Sequence, residues 1–176
     1  GVGQMAKGAV VLALPVEELV TDLIYKSETQ FLLGEYEGAL STANDALRFA
    51  GEKGLRQGVA LANDKLARIL RALGRLDEAR DRLRTALAVN HELGAKPASF
   101  ENYLSLIQIA TYSKEFSQAS ADVKQLQRLA EEMGSPIFTA KAYHAAGIIS
   151  SAGGQHQDAR EAYEKAVEYA LDSGSM

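Results

Sequence analysis

The sequence predicts an all-α protein, a right-handed α-solenoid of four 40-residue helix–turn–helix repeats. Three observations carry this. Ala39, Ala79, Ala119 and Ala159 stand 40 residues apart, and Gly54, Gly94, Gly134 and Gly174 keep the same interval. Each interval holds two apolar stripes at helical spacing. No segment alternates apolar and polar residues as a half-buried strand does. A fixed period of that length marks a stacked array, in which each unit buries its apolar face on its neighbours.

Residues 1–176 read as one repeat domain with repeats at 15–54, 55–94, 95–134 and 135–174. Repeat one opens at Pro15, tolerated in a first turn where a missing N–H costs nothing. Glu17 and Glu18 suit the positive end of the helix dipole. Helices are expected at 16–33 and 36–52, joined through Leu33-Gly34-Glu35-Tyr36-x-x-Ala39. In repeat two, Leu66, Ala67, Ile69, Leu70 and Leu73 form one stripe, over 56–73. Leu76, Ala79, Leu83, Ala86 and Leu87 form the next, over 76–92. Gly74 between them suits a left-handed helix end, as do Gly54, Gly94 and Gly134 between repeats. Repeat three, with Pro97 near its start, predicts helices at 96–113 and 116–132. Its turn reads Ser113-Lys114-Glu115-Phe116-x-x-Ala119, with lysine in place of glycine, and is the most eroded copy. In repeat four, Ser135 is an expected N-cap before Pro136. Helices 136–152 and 156–172 flank Gly153-Gly154-Gln155-His156-x-x-Ala159. Seven residues past each turn alanine stands Ala46, Ala86, Leu126 or Ala166. Upstream, Ala6 and Val10 lie 40 residues before Ala46 and Ala50, so residues 1–14 read as the second helix of a partial repeat. The sequence leaves open whether Gly1–Gln4 are native.

These residues resemble the tetratricopeptide repeat (TPR) family over residues 15–174. The resemblance rests on Asn63-x-x-Leu66-Ala67-x-x-Leu70 and Tyr143-x-x-Ala146-Gly147-x-x-Ser150. Tyr103-x-x-Leu106-Ile107-x-x-Ala110 and Leu23-x-x-Lys26-Ser27-x-x-Gln30 are weaker copies. Ser27, Ala67 and Gly147 supply the small residue that lets paired helices approach, and Ile107 departs from it. The period also fits HEAT or armadillo repeats, but Leu-Gly-x-aromatic-x-x-Ala favours TPR. Repeats longer than the usual ~34 residues are similar to those of bacterial maltose-activator-type regulators, kinesin light chains and spindle-orientation adaptors.

The resemblance implies a concave groove lined by the first helix of every repeat. Carried over residue by residue, that stripe is Thr21, Ile24, Glu28 and Phe31, then Leu61, Asp64, Arg68 and Arg71. It continues through Glu101, Leu104, Gln108, Thr111 and Tyr112 to Lys141, His144, Ile148 and Ser151. The partner-binding candidates are Glu28, Phe31, Asp64, Arg68, Arg71, Gln108, Tyr112, Lys141 and His144. Arg68, Arg71, Gln108 and Tyr112 are the hot-spot candidates, since Arg and Tyr are enriched in binding cores. Two plainer readings stand beside this: Asp64 and Arg68 as a solvated i, i+4 ion pair, and Tyr112 packed near its hairpin turn. The lysine–asparagine clamp of chaperone-tail-binding relatives is absent, with Ile24, Glu28, Asp64 and Arg68 on the relevant faces.

Composition narrows the function. The chain of 176 residues is 47% hydrophobic and carries a net charge of −4 from 23 acidic and 19 basic residues. No basic stripe of the kind nucleic-acid binders carry is present, so none is expected as a direct partner. Ala9–Leu14 is too short an apolar run for a membrane span or a signal peptide. With Cys at 0, disulfide and thiolate chemistry are excluded, and a cytoplasmic location is expected. No catalytic residue, cofactor or metal is expected, and the chain reads as non-enzymatic. Gly1-x-Gly3-x-x-Ala6 lacks a preceding strand, and Lys26-Ser27 lacks a phosphate loop's glycines. His91, His144 and His156 fall in different repeats without metal-ligand spacing. His156, in the slot of Tyr36 and Phe116, is expected to pack between helices. His91 lies near a helix end, where a cation favours the dipole. Glu78–Arg82 and Glu161–Lys165 are expected surface pairs. The expected function is a protein- or peptide-binding module, part of a larger bacterial protein. The alternative is the sensor domain of a bacterial transcriptional regulator that binds an effector. Apolar residues of the last helix, such as Val167 and Leu171, are expected to be partly exposed and to favour self-association.

Overall fold

The computed structural model describes residues 15–174. The upstream helix expected over residues 1–14 lies outside them. Eight helices follow in order: α1 (Val16–Leu32), α2 (Tyr36–Glu52), α3 (Arg56–Ala72), α4 (Leu76–Glu92), α5 (Lys96–Tyr112), α6 (Phe116–Met133), α7 (Pro136–Ala152) and α8 (His156–Ser173). Their ends fall within a residue of those expected, and no strand occurs among the described residues. Each helix packs on the next, and the first helices also touch across neighbouring repeats, α1 on α3 and α5 on α7. The result is an α-solenoid of four stacked hairpins.

The turns are built alike. After α3, the Gly74 N–H donates to the Arg71 carbonyl (3.0 Å) and the Arg75 N–H to the Leu70 carbonyl (2.9 Å). This pair of bonds satisfies two carbonyls left over at the helix end. Gly74 must adopt φ 75° to make them. In repeat three Lys114 takes the same place at φ 59°, with Lys114 N–H on Thr111 O (3.1 Å) and Glu115 N–H on Ala110 O (2.8 Å). The turn therefore survives the loss of its glycine, at the cost of left-handed strain. Gly174 keeps the sequence interval but not the conformation, with φ −88°.

Alanine sets the distance between paired helices. Ala39, Ala79 and Ala119 are 0% exposed and Ala159 is 4% exposed. Opposite Ala39, the buried Ser27 hydroxyl donates to the Ala39 carbonyl at 2.9 Å. At the matching place in repeat four, a Cβ on Gly147 would lie 2.6 Å from the Tyr163 ring, so the ring fills the space a side chain would need. Ile107, larger than its counterparts, is nevertheless buried with Ala119 and Val123.

Four expectations are corrected. Ser135 sits at the N-cap with extended backbone, but its hydroxyl makes no cap bond. Pro136 already removes one orphan N–H, and the Ser135 carbonyl instead accepts the Thr139 N–H (3.1 Å) and hydroxyl (3.2 Å). His156 is exposed rather than packed between helices, and Ser151 stands where Phe31 meets Tyr36 in repeat one. Glu78 pairs with Arg75 at 2.7 Å, while Arg82 reaches Asn63 Oδ1 at 3.4 Å. Glu161 accepts from Gln157 at 2.8 Å, and the Lys165 ammonium lies 5.2 Å from the centre of the Tyr143 ring. Val167 and Leu171 are exposed, as expected.

Two substitutions test this account. Gly147→Val should cost about 1–3 kcal/mol through overpacking on Tyr163, and Tyr163→Leu in the same chain should recover most of it. Lys114→Gly should stabilise by about 0.5 kcal/mol: relief of ~1–2 kcal/mol of left-handed strain, less the ~0.5–1 kcal/mol of backbone entropy that glycine loses. Urea-melt midpoints measure both.

Candidate functional site

The first helices α1, α3, α5 and α7 present the expected stripe, and its members do three different things. At repeats one and two, Glu28 sits between Lys65 Nζ (2.5 Å) and the Arg68 guanidinium. Arg68 also lies over the Phe31 ring, 4.5 Å from its centre, and Phe31 in turn tilts against Tyr36 at 5.5 Å. Planar guanidinium suits both contacts at once. Burial alone would push the Glu28 carboxyl up, but Lys65 and Arg68 together outweigh it and hold it below the usual carboxylate range.

Asp64 belongs to a different unit. Its Oδ1 accepts the Asn102 amide at 3.0 Å, and Asn102 accepts from Asn90 at 2.8 Å. Asn90 and Asn102 are buried. Desolvation raises the Asp64 carboxyl, against the opposing fields of Lys65 and Arg68. The solvated Asp64–Arg68 pair is thus corrected: Arg68 is drawn to Glu28, and Asp64 turns into the repeat interface.

The remaining candidates converge at repeats three and four. The Arg71 guanidinium donates to Gln108 Oε1 at 2.5 Å. Beyond Gln108 opens a pocket of about 470 Å³ with Leu104, Ile107, Tyr112, His144, Ala145 and Ile148 on its walls. Gln108, Thr111 and Lys141 complete the lining. Tyr112 is 80% exposed, which corrects the reading of it as packed near its turn. The turn after α5 carries Ser113 and Lys114, neither of which covers the ring. Lys141 pairs with Glu101 at 3.3 Å, and His144 leans on Tyr163 with ring centres 5.7 Å apart. A smaller crevice of about 80 Å³ lies beside Arg68 and Arg71.

Of the nine candidates, Glu28, Phe31 and Arg68 therefore form a structural cluster, and Asp64 an interface bond. Gln108, Tyr112, Lys141 and His144 line the larger pocket, and Arg71 reaches its edge through Gln108. Lys65, Asn90 and Asn102 were missed by reading the stripe. Aligning the repeats exposes the two asparagines, since Asn90 replaces Ala50 and Ala130, and Asn102 replaces Ala62 and Ala142.

Comparison with solved structures places this geometry. The crystal structure of BtubC (BKLC) from P. vanneervenii superposes with a TM-score of 0.79 at 17% identity, covering 92% of this chain and 67% of that one. The putative kinesin light chain of Podosopora anserina, with nearly identical TPR-like repeats, gives 0.73 at 15% identity over 88% of this chain and 76% of that one. The fold is that of TPR-like repeats. No family model matches the sequence, and no curated protein matches it. Among the described residues there is no cluster of side chains arranged for a metal, and no helix long and apolar enough to cross a membrane.

The two carboxylates predict opposite pH behaviour. Glu28 has a folded pKa below its unfolded value, so its stabilisation is present above the unfolded pKa and is lost as pH falls through the folded one. Asp64 has a raised folded pKa, so its ionisation opposes folding at neutral pH and stops doing so on acidification. Asp64→Asn should therefore raise the melting temperature near neutral pH, and Glu28→Gln should lower it. Both differences should fade as the medium is acidified through the carboxylate range, as read from melts across a pH series.

Proposed function

We propose that the protein binds an extended segment of a partner protein along the first-helix groove, with an apolar side chain seated in the pocket between α5 and α7. The pocket itself is the observation that carries this reading. It joins partly exposed apolar walls, Ile148 and Tyr112 among them, to polar groups on one rim, the usual composition of a binding site. Arg71 specifies the neighbouring contact. It holds a neutral amide, whereas Arg68 and Lys141 in the same groove hold carboxylates. A carboxylate beside the apolar anchor would complete it.

A second reading rests on the pocket's size. About 470 Å³ falls within the range of small-molecule sites, which supports an effector-binding sensor domain of a bacterial transcriptional regulator. The Ala-Leu-Arg-rich repeats support a bacterial source, and a chain with Cys at 0 suits the cytoplasm.

Selection of random displayed peptides on the immobilised protein separates the two readings. Recovered peptides should share an apolar residue near an acidic one. Ile148→Glu should abolish their binding, and Arg71→Glu should weaken it about tenfold or more, as for a charge-assisted hydrogen bond. Arg84→Glu, on the exposed face of α4, should leave it unchanged. Arg68 is unsuitable as a probe because its loss would also disturb its contacts with Glu28 and the Phe31 ring. Peptides that bind the Ile148→Glu variant equally well would move the site off this groove. A selection that enriches nothing would favour the effector reading.

A further inference from the structure

A second cavity, of about 300 Å³, opens between α4, α5 and α6 on the second-helix side of the stack. Its floor carries two polar side chains, more than the matching places at the other repeat junctions. Asn90 is 6% exposed and Ser99 is 2% exposed, and both line it. The matching positions are Ala50 and Val59 at the first junction, and Ala130 and Thr139 at the third. Thr139 is satisfied by the Ser135 carbonyl. The Ser99 hydroxyl has no hydrogen-bond partner among the described residues, and the Asn90 amide donates to Asn102 but receives no donor on its own oxygen. Both atoms are open to the cavity, so the Ser99 hydroxyl is free to donate to a bound acceptor.

The rim carries one cation without a carboxylate partner among the described residues. His91, Lys96, Arg128 and Glu132 stand around the opening. Lys96 and Glu132 neutralise each other at 3.1 Å. Arg128 has no carboxylate partner among the described residues, unlike Arg48 at the matching place in repeat one, which pairs with Asp45 at 3.3 Å and Glu52 at 3.5 Å. The arrangement is a guanidinium and an imidazole above a buried hydroxyl and amide. An arginine fork matches the two oxygens of a carboxylate or phosphate, while the hydroxyl donates to a third acceptor.

We infer that this cavity binds a compact polar anion, a carboxylate or phosphate group held by Arg128 and Ser99, separately from the groove. Occupation would give the Ser99 hydroxyl an acceptor and Arg128 a counter-charge.

The test is a ¹H–¹⁵N NMR titration at constant ionic strength, with inorganic phosphate in one arm and acetate in the other against a chloride background. Saturable shifts at Gly94, Ser99 and the Asn90 side-chain amide are expected in at least one arm. Saturation by phosphate alone identifies a phosphate site, and saturation by acetate alone a carboxylate site. Arg128→Ala, an exposed substitution, should weaken the response about tenfold or more. Ser99→Ala should weaken it while thermal melts confirm the fold. Ile148→Glu in the groove should leave it unchanged. Linear, unsaturated shifts in both arms would overturn the inference, as would shifts scattered over exposed arginines or full affinity in Arg128→Ala.

Discussion

Close approach of two helices, fixed by a small residue at one point in every hairpin, is the constraint from which the rest follows. Ala39, Ala79, Ala119 and Ala159 lie at that point with essentially no exposure. A larger side chain there would push the paired helices apart and tilt the surface offered to the next repeat. Close packing of the pair also lets a hydroxyl bond directly to a neighbouring helix carbonyl at Ser27, and lets an aromatic ring cover bare backbone at Gly147. These are different side-chain solutions to one spacing requirement, which explains how the repeats diverge so far without losing register.

A regular stack brings residues one period apart into contact on the groove face. Glu28 meets Arg68 and Glu101 meets Lys141 for that reason alone, each pair 40 positions apart. Such pairs are worth little individually where they are solvated. On the groove-binding proposal, a charge paired internally is a weaker handle for a ligand. The pairing neutralises most of the groove and leaves Arg71, on the amide of Gln108, beside the apolar pocket. Stacking thus occupies Glu28, Arg68, Glu101 and Lys141 in pairs across the repeats, while Arg71 of repeat two stands on an amide.

The fold was legible because its determinants are periodic. Helix ends could be read to a residue from glycine, proline and apolar spacing, and even Lys114 is readable by alignment with Gly34 and Gly74. The groove stripe was also legible as a set of positions. Which of its members remained available to a ligand was not, since that depends on where long side chains go. Nothing in the spacing of Asp64 and Arg68 reveals that Glu28, shared with Lys65, draws the arginine across to the adjacent repeat. The exposure of His156 and Tyr112 likewise depends on what a neighbouring residue fails to cover, and a single-residue pattern carries no record of that.

The junction between repeats two and three shows what repetition alone leaves unspecified. At the first and third junctions the buried contact is alanine on alanine, Ala50 with Ala62 and Ala130 with Ala142. Apolar contacts of that kind are indifferent to which repeat supplies which partner. Asn90 and Asn102 are not, because Asn90 donates to Asn102 at 2.8 Å and Asn102 continues to Asp64. Slippage by one repeat would set Asn90 against Ala142 and Asn102 against Ala50. Each stranded amide would cost about 1–3 kcal/mol. A net stability of roughly 5–15 kcal/mol for a whole domain makes that penalty decisive against the slipped stack. The polar pair at the middle of the array therefore adds little to the strength of the native stack, but it distinguishes that stack from its near-repeats, as a single buried asparagine fixes register in a coiled coil.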